Sequence, residues 1–359
     1  MPEPDLIGGA PAIELLARDL PPGAPAFVSA AVLPGRGFML LNAPLRLPSG
    51  QTVDGVAGPS PAAAARLLDG GPDDFAGNKS FAVGGAILAP YANRVRGRPL
   101  AGSREIETSV DGRLVRLPRN WGGRAPGAAQ YAMHGLILDA PVSWTQPSPD
   151  RACGRLEAGD FGGRWVSRTS LTFEWRLERG ALVLSVDVRN VGETPLPFGL
   201  GWHPYFAIPS GQRGQARLRL PAARRVEVDD YDQVLPTGRL LPTSGSPYDF
   251  DAADGRRLGE LYLDDCFTDL RREHGRAVAE LRDPAAGVGL RIASPTPQVN
   301  AMQVYAPLGE AIVAIEPQFN LADPFGAVWP PGADTGMARL LPGESLACEV
   351  RVEPFGLTS

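Results

Sequence analysis

Between residues 171 and 190 the chain alternates apolar and polar side chains with a period of two. Leu171, Phe173, Trp175 and Leu177 fall on one face, with Thr172, Glu174, Arg176 and Glu178 on the other. Arg179-Gly180 breaks the pattern, and Leu182, Leu184, Val186 and Val188 then repeat it. Successive side chains of a strand point to opposite faces, so this spacing specifies two half-buried strands joined by a tight turn. Further strands are expected at Ala216–Leu220, at Val278–Leu281 facing Val288–Ile292, and at Val299–Tyr305, Ala311–Ile315 and Leu346–Val352. Successive hairpins without long helices between them exclude a doubly wound α/β fold. An all-β, large antiparallel β-sandwich with a few short helices is expected, with residues 1–359 forming a single domain. The 43 glycines and 37 prolines suit many turns and few long helices.

The first 75 residues are less regular. Ile13–Leu20 and Pro61–Leu68 are each read as a short helix, and Ala26–Val28 and Phe38–Leu41 as strands, with Gly70–Asp74 as a loop. A net charge of −5 with no dense run of Lys or Arg speaks against a nucleic-acid partner. Met1-Pro2-Glu3-Pro4-Asp5 has neither the basic start nor the apolar core of a signal peptide, and no apolar stretch reaches the length of a membrane span. A soluble cytoplasmic protein with no membrane partner is expected; the oligomeric state is not encoded legibly. Cys153, Cys266 and Cys348 are few and far apart, a pattern that offers neither a disulfide framework nor a zinc site. They are expected as buried small hydrophobes.

Only three histidines are present, and two of them keep unusual company. His203 lies within Gly201-Trp202-His203-Pro204-Tyr205-Phe206, where large rings suit the apolar face of a sugar. The ordinary alternative is a core histidine satisfied by a backbone carbonyl. His134 lies in Tyr131-Ala132-Met133-His134-Gly135. Glu316 ends the apolar run Ala311–Ile315; there it either escapes to solvent or is held desolvated and primed as a base. Asn93-Arg94, with Arg96 and Arg98 close behind, form a surface loop or a set of hydroxyl-binding groups. Asp264-Asp265 reads first as a turn. Asp249-x-Asp251 is followed by Asp254-Gly255, but Ala253 and the late glycine depart from a calcium loop.

Taken in order, these segments resemble the aldose 1-epimerase (galactose mutarotase) family. The resemblance is carried by Asn93-Arg94, His134-Gly135, His203-Pro204-Tyr205-Phe206, Asp264-Asp265-Cys266-Phe267, Gln303-Val304-Tyr305, Glu316 and the turn Pro342-Gly343-Glu344. The wording around Gly201-Trp202 is closer to mutarotase-like branches than to galactose mutarotase itself, and the first 75 residues match little. The resemblance implies a mutarotase-like supersandwich that interconverts the α and β anomers of a free hexose. It implies Glu316 as general base, His203 as general acid and His134 as a donor near the ring oxygen or anomeric hydroxyl. Asn93, Arg94, Tyr205, Asp264 and Gln303 would bind the remaining sugar groups, and neither metal nor organic cofactor is needed. His203 and Glu316 are expected to face each other across a cavity wide enough for one pyranose. Competing expectations are a hexose-6-phosphate mutarotase using Arg96 or Arg98, a non-catalytic carbohydrate-binding protein, and a glycoside hydrolase, which needs two flanking carboxylates.

Overall fold

The computed structural model describes residues 5–122 and 130–357. Two large sheets dominate it. A nine-stranded sheet contains Thr169–Glu178, Ala181–Asn190 and Ser345–Gly356 at its centre. A twelve-stranded sheet contains, side by side, Leu263–Leu270, Ala301–Ala306, Ile312–Gln318 and Gly201–Ala207. Pairing is antiparallel in these strands. The Thr169–Asn190 hairpin turns at Arg179 and Gly180, both with positive φ, as a two-residue hairpin turn requires.

The sheets meet through the apolar faces of the alternating pattern. Trp175 of the nine-stranded sheet lies edge-to-face against Trp202 of the other, ring centroids 5.5 Å apart, and its indole N–H donates to the Phe38 carbonyl. Phe173 meets Phe38 at 5.8 Å. With Trp202, Pro204 and Phe206 turned towards this core, the period of two sends His203 and Tyr205 to the opposite face of the sheet. Met302, Val304, Val313 and Ile315 likewise point inward, leaving Gln303, Tyr305, Ala314 and Glu316 outward.

Several expectations change. Ile13–Leu16 is a strand paired with Ser29–Leu33, not the start of a helix: Ile13 and Leu15 are buried while Glu14 and Leu16 are exposed, a two-residue period. The second expected helix forms at Pro61–Leu67, where the Ser60 hydroxyl accepts from the Ala63 N–H. Asp264 and Asp265 lie inside a strand rather than in a turn. Glu316 sits within its strand and not at its end. Cys266 and Cys348 are buried and Cys153 half-buried, all free. Among the described residues no helix is long and apolar enough to cross a membrane.

Candidate active site

Strand register assembles the outward face in two rows. Gly201 pairs with Gln318 and Tyr205 with Ala314, which sets His203 opposite Glu316; Glu316 pairs with Gln303, and Gln303 with Cys266. One residue pair further along lies the row Tyr205, Ala314, Tyr305 and Asp264. Directly opposed side chains on one face have Cβ atoms about 4.5–5.5 Å apart. His203 and Glu316 therefore touch: Nε2 lies 3.2 Å from Oε1. This corrects the expectation of a pyranose-wide gap between them, because neighbouring strands leave no such room. A sugar has to lie over the pair, not between its members.

Loops supply the rest. Arg94–Arg96 pairs with Gln130–Met133, bringing Asn93 beside His134, whose N–H donates to the Asn93 carbonyl at 2.9 Å. Both residues adopt positive φ, 60° for Asn93 and 64° for His134, a strained choice that Asn and His tolerate better than most. Gly135 follows at φ 86°; a Cβ there would stand 2.2 Å from the Ala89 carbonyl oxygen, so only glycine lets the two segments approach. Asn93 Nδ2 donates to Gln303 Oε1 at 3.0 Å, and Gln303 Nε2 donates to Asp264 Oδ1 at 2.5 Å. Arg94 donates to Asn93 Oδ1 at 3.0 Å and reaches Asp264 at 3.4 Å. All eight residues expected at the site thus share one face of the sheet or the loops above it. Tyr205 closes the set, its ring 4.9 Å from that of His203 and its hydroxyl donating to the Phe81 carbonyl.

Burial sets the protonation. Glu316 is 1% exposed, and desolvation, with the Asp264 charge adding to it, pushes its carboxyl well above the ordinary range against the opposing pull of Arg94. Desolvation lowers His203 to about 4, with Arg94 contributing. Together they favour one proton held between a carboxyl group and a neutral imidazole. His134 is pushed well below its usual value by burial, then by His203 and Arg94. Its Nδ1 accepts the Asn93 N–H at 3.3 Å, so the neutral ring carries its proton on Nε2. Among the described residues that Nε2–H, Glu316 Oε2 and Arg94 Nε are buried without a partner, a costly state that a polar ligand relieves.

His134, His203 and Glu316 offer donor atoms within 4.8 Å of one another, types that suit a divalent cation. Ligation requires a lone pair on His134 Nε2, and the Asn93 amide keeps the proton there. The donor set therefore fits a metal poorly. Arg96 pairs with Asp323 at 2.8 Å and the exposed Arg98 with Glu107 at 2.6 Å.

Sequence reasoning missed the supports. Asn320 accepts the Ala92 N–H and donates to the Ala92 carbonyl, and the Asp323 N–H donates to the Arg94 carbonyl, so the segment after Gln318 clamps the Asn93-Arg94 segment. No local pattern marks these two. Tyr305 was within reach, since it stands two residues after Gln303 in a strand and must share its face.

A sequence profile described as aldose 1-epimerase matches residues 59–353. Over 205 residues the chain is 27% identical to a maltose epimerase of Levilactobacillus brevis, a match covering 50% of this chain and 54% of that protein. Over 130 residues it is 32% identical to the uncharacterized protein YphB of Escherichia coli K12, covering 36% and 39%. The chain therefore spans about half, or less, of the curated relatives it matches. Similar solved structures include a GalM/aldose epimerase homologue from C. elegans (TM-score 0.71, 18% identity, 97% of this chain and 99% of that one). A galactose mutarotase-like protein from Clostridium acetobutylicum gives 0.69 at 16% identity, covering 93% of each chain. At such identities the likeness is one of fold: a galactose mutarotase-like β-sandwich. With the profile running through most of its length, from the Ser60-capped helix to the last strand, the chain belongs to the aldose 1-epimerase family.

Proposed function

We propose that the protein is a mutarotase, opening and reclosing the ring of a hexose to exchange its α and β anomers. Ring opening needs a base at the anomeric hydroxyl and an acid at the ring oxygen. One proton moving from Glu316 to His203 across their 3.2 Å contact creates both, a carboxylate and an imidazolium. Glu316 then takes the hydroxyl proton, the bond from C1 to the ring oxygen breaks, and His203 protonates the departing oxygen. The aldehyde rotates about C1–C2. Reclosure returns the carboxyl proton to O1 while His203 takes the proton of the attacking hydroxyl. The His134 Nε2–H donates to an oxygen at the reacting centre, and Arg94, Asp264 and Gln303 hold the remaining hydroxyls.

The buried contact of His203 with Glu316, 3.2 Å apart, is the observation that carries this reading. A binding protein has no need to desolvate such a pair, and a glycoside hydrolase needs a second carboxylate; Asp264 is already committed to Arg94 and Gln303. The experiment is exchange spectroscopy by NMR on a panel of free aldoses. Acceleration of anomer exchange supports the proposal. Saturable binding without acceleration would return the protein to the carbohydrate-binding class.

A further inference from the structure

We propose that Tyr305, Tyr262 and Tyr231 form a second saccharide subsite at the mouth of the site, so that the preferred substrate is the reducing unit of a neutral, glycosidically linked sugar. The route out of the site gives the direction. Side-chain exposure rises from 2% at Glu316 and 6% at His203 to 13% at Asp264, and the tyrosines beyond are half-buried. Any substituent leaving the bound pyranose for solvent on that side passes over them.

The rings form a continuous line. Tyr205 meets Tyr305 at 6.5 Å, Tyr305 meets Tyr262 at 6.3 Å, and Tyr262 meets Tyr231 at 5.7 Å, each pair within a few degrees of perpendicular. An edge-to-face contact occupies at most one face of a ring, and the opposite face is a surface on which a pyranose can lay its C–H groups. Tyr231 is fixed by donating to Asp265 at 2.8 Å. The hydroxyls of Tyr305 and Tyr262 make no hydrogen bond among the described residues and remain open to sugar hydroxyls.

Charge decides what kind of substituent fits. Asp264 and Glu310 both act on the Tyr305 phenol, raising its pKa after burial itself. The two arginines that the described residues place beside this row are both paired, Arg94 with Asp264 and Arg225 with Asp265, whose Oδ1 also accepts from Tyr231. A phosphoester in this mouth meets carboxylates, whereas a glycosyl unit finds hydroxyl acceptors in them.

This inference rests on the mutarotase reading for its kinetic test alone. Anomer exchange is measured for glucose, glucose 6-phosphate and the α- and β-1→4-linked diglucosides. One diglucoside is expected to show a kcat/KM at least about tenfold above the other sugars. Tyr262→Ala should lower that value about tenfold more than the value for glucose, through KM, and Tyr262→Phe should restore most of it. Equal losses on both sugars, or a preference for the 6-phosphate, would overturn the subsite. If no sugar is accelerated, the mutarotase reading falls and calorimetric binding of the diglucosides decides instead. Roughly tenfold weaker binding in Tyr262→Ala, with an unchanged melting curve, supports the subsite, and equal binding overturns it.

Discussion

A carboxyl group buried to 1% exposure, with an imidazole nitrogen 3.2 Å away, holds its proton more firmly than the same group in water. In the proposed mechanism the pair works only while it carries one proton. A second proton, added as pH falls towards the His203 value of about 4, removes the base; loss of the only proton at high pH removes the acid. The pH–rate profile should be a bell whose acid limb lies near 4 and whose alkaline limb lies far above the usual glutamate range. Glu316→Gln and His203→Asn should each lower kcat by about 10²–10⁴-fold, the usual weight of one acid–base group, while circular dichroism stays native. Wild-type exchange rates in Glu316→Gln would show that the proton goes elsewhere. His134 adds a stability prediction. Its pKa is depressed by folding, so the unfolded chain binds more protons below about 6.5, and stability falls as pH drops through that range. His134→Asn should flatten the loss of Tm between pH 7 and pH 5, which thermal melts at the two pH values would read.

Elements explain why these side chains meet although 113 residues separate His203 from Glu316. The two strands pair with Gly201 on Gln318 and Tyr205 on Ala314, and everything between follows. The loops are held by fewer contacts and are more vulnerable. Gly135→Ala puts a methyl group 2.2 Å from the Ala89 carbonyl oxygen at a φ of 86°, a strain of order 1–3 kcal/mol. It should lower both Tm and kcat, because His134 moves with its neighbour. Asp323→Asn keeps the fold but frees the Arg96 side chain, and a raised KM with kcat largely intact is expected from a loosened Arg94. Much of the element level was legible in the chain. Leu171–Val188 alternates so regularly that no other structure satisfies it. Ile13–Leu20 was misread because Ile13, Leu15, Leu16 and Leu20 fit either period, and the pairing with Ser29–Leu33 that decides the matter is invisible locally. The Asn93, His134, His203 and Glu316 segments were recognisable as motifs. Their contacts were not, since register across four strands is a property of the assembled sheet.

At the scale of the whole molecule, the twelve-stranded sheet has two different tasks on its two faces. Trp202, Phe206, Val304 and Ile315 pack towards the nine-stranded sheet, while His203, Tyr205, Gln303 and Glu316 point away from it under the loops. This explains why the run before Glu316 is apolar throughout: the strand is buried on both sides, by a sheet below and by covering segments above. A strand exposed on one face would alternate, so the unbroken apolar run was itself a sign of a covered site, though it does not say what covers it. The division of faces also separates stability from chemistry. Phe173 belongs to the nine-stranded sheet, is 2% exposed and meets Phe38 across the core with its ring tilted by 36°. Phe173→Ala leaves a cavity between the sheets and should cost about 3–5 kcal/mol by denaturant unfolding. The His203–Glu316 pair lies on the far face of the other sheet, so kcat measured well below the new Tm should stay within about twofold of wild type, the additivity expected of sites that share no partners. A collapse of kcat at full foldedness would mean that sheet packing sets the His203–Glu316 distance, and that the two faces are coupled through Trp202.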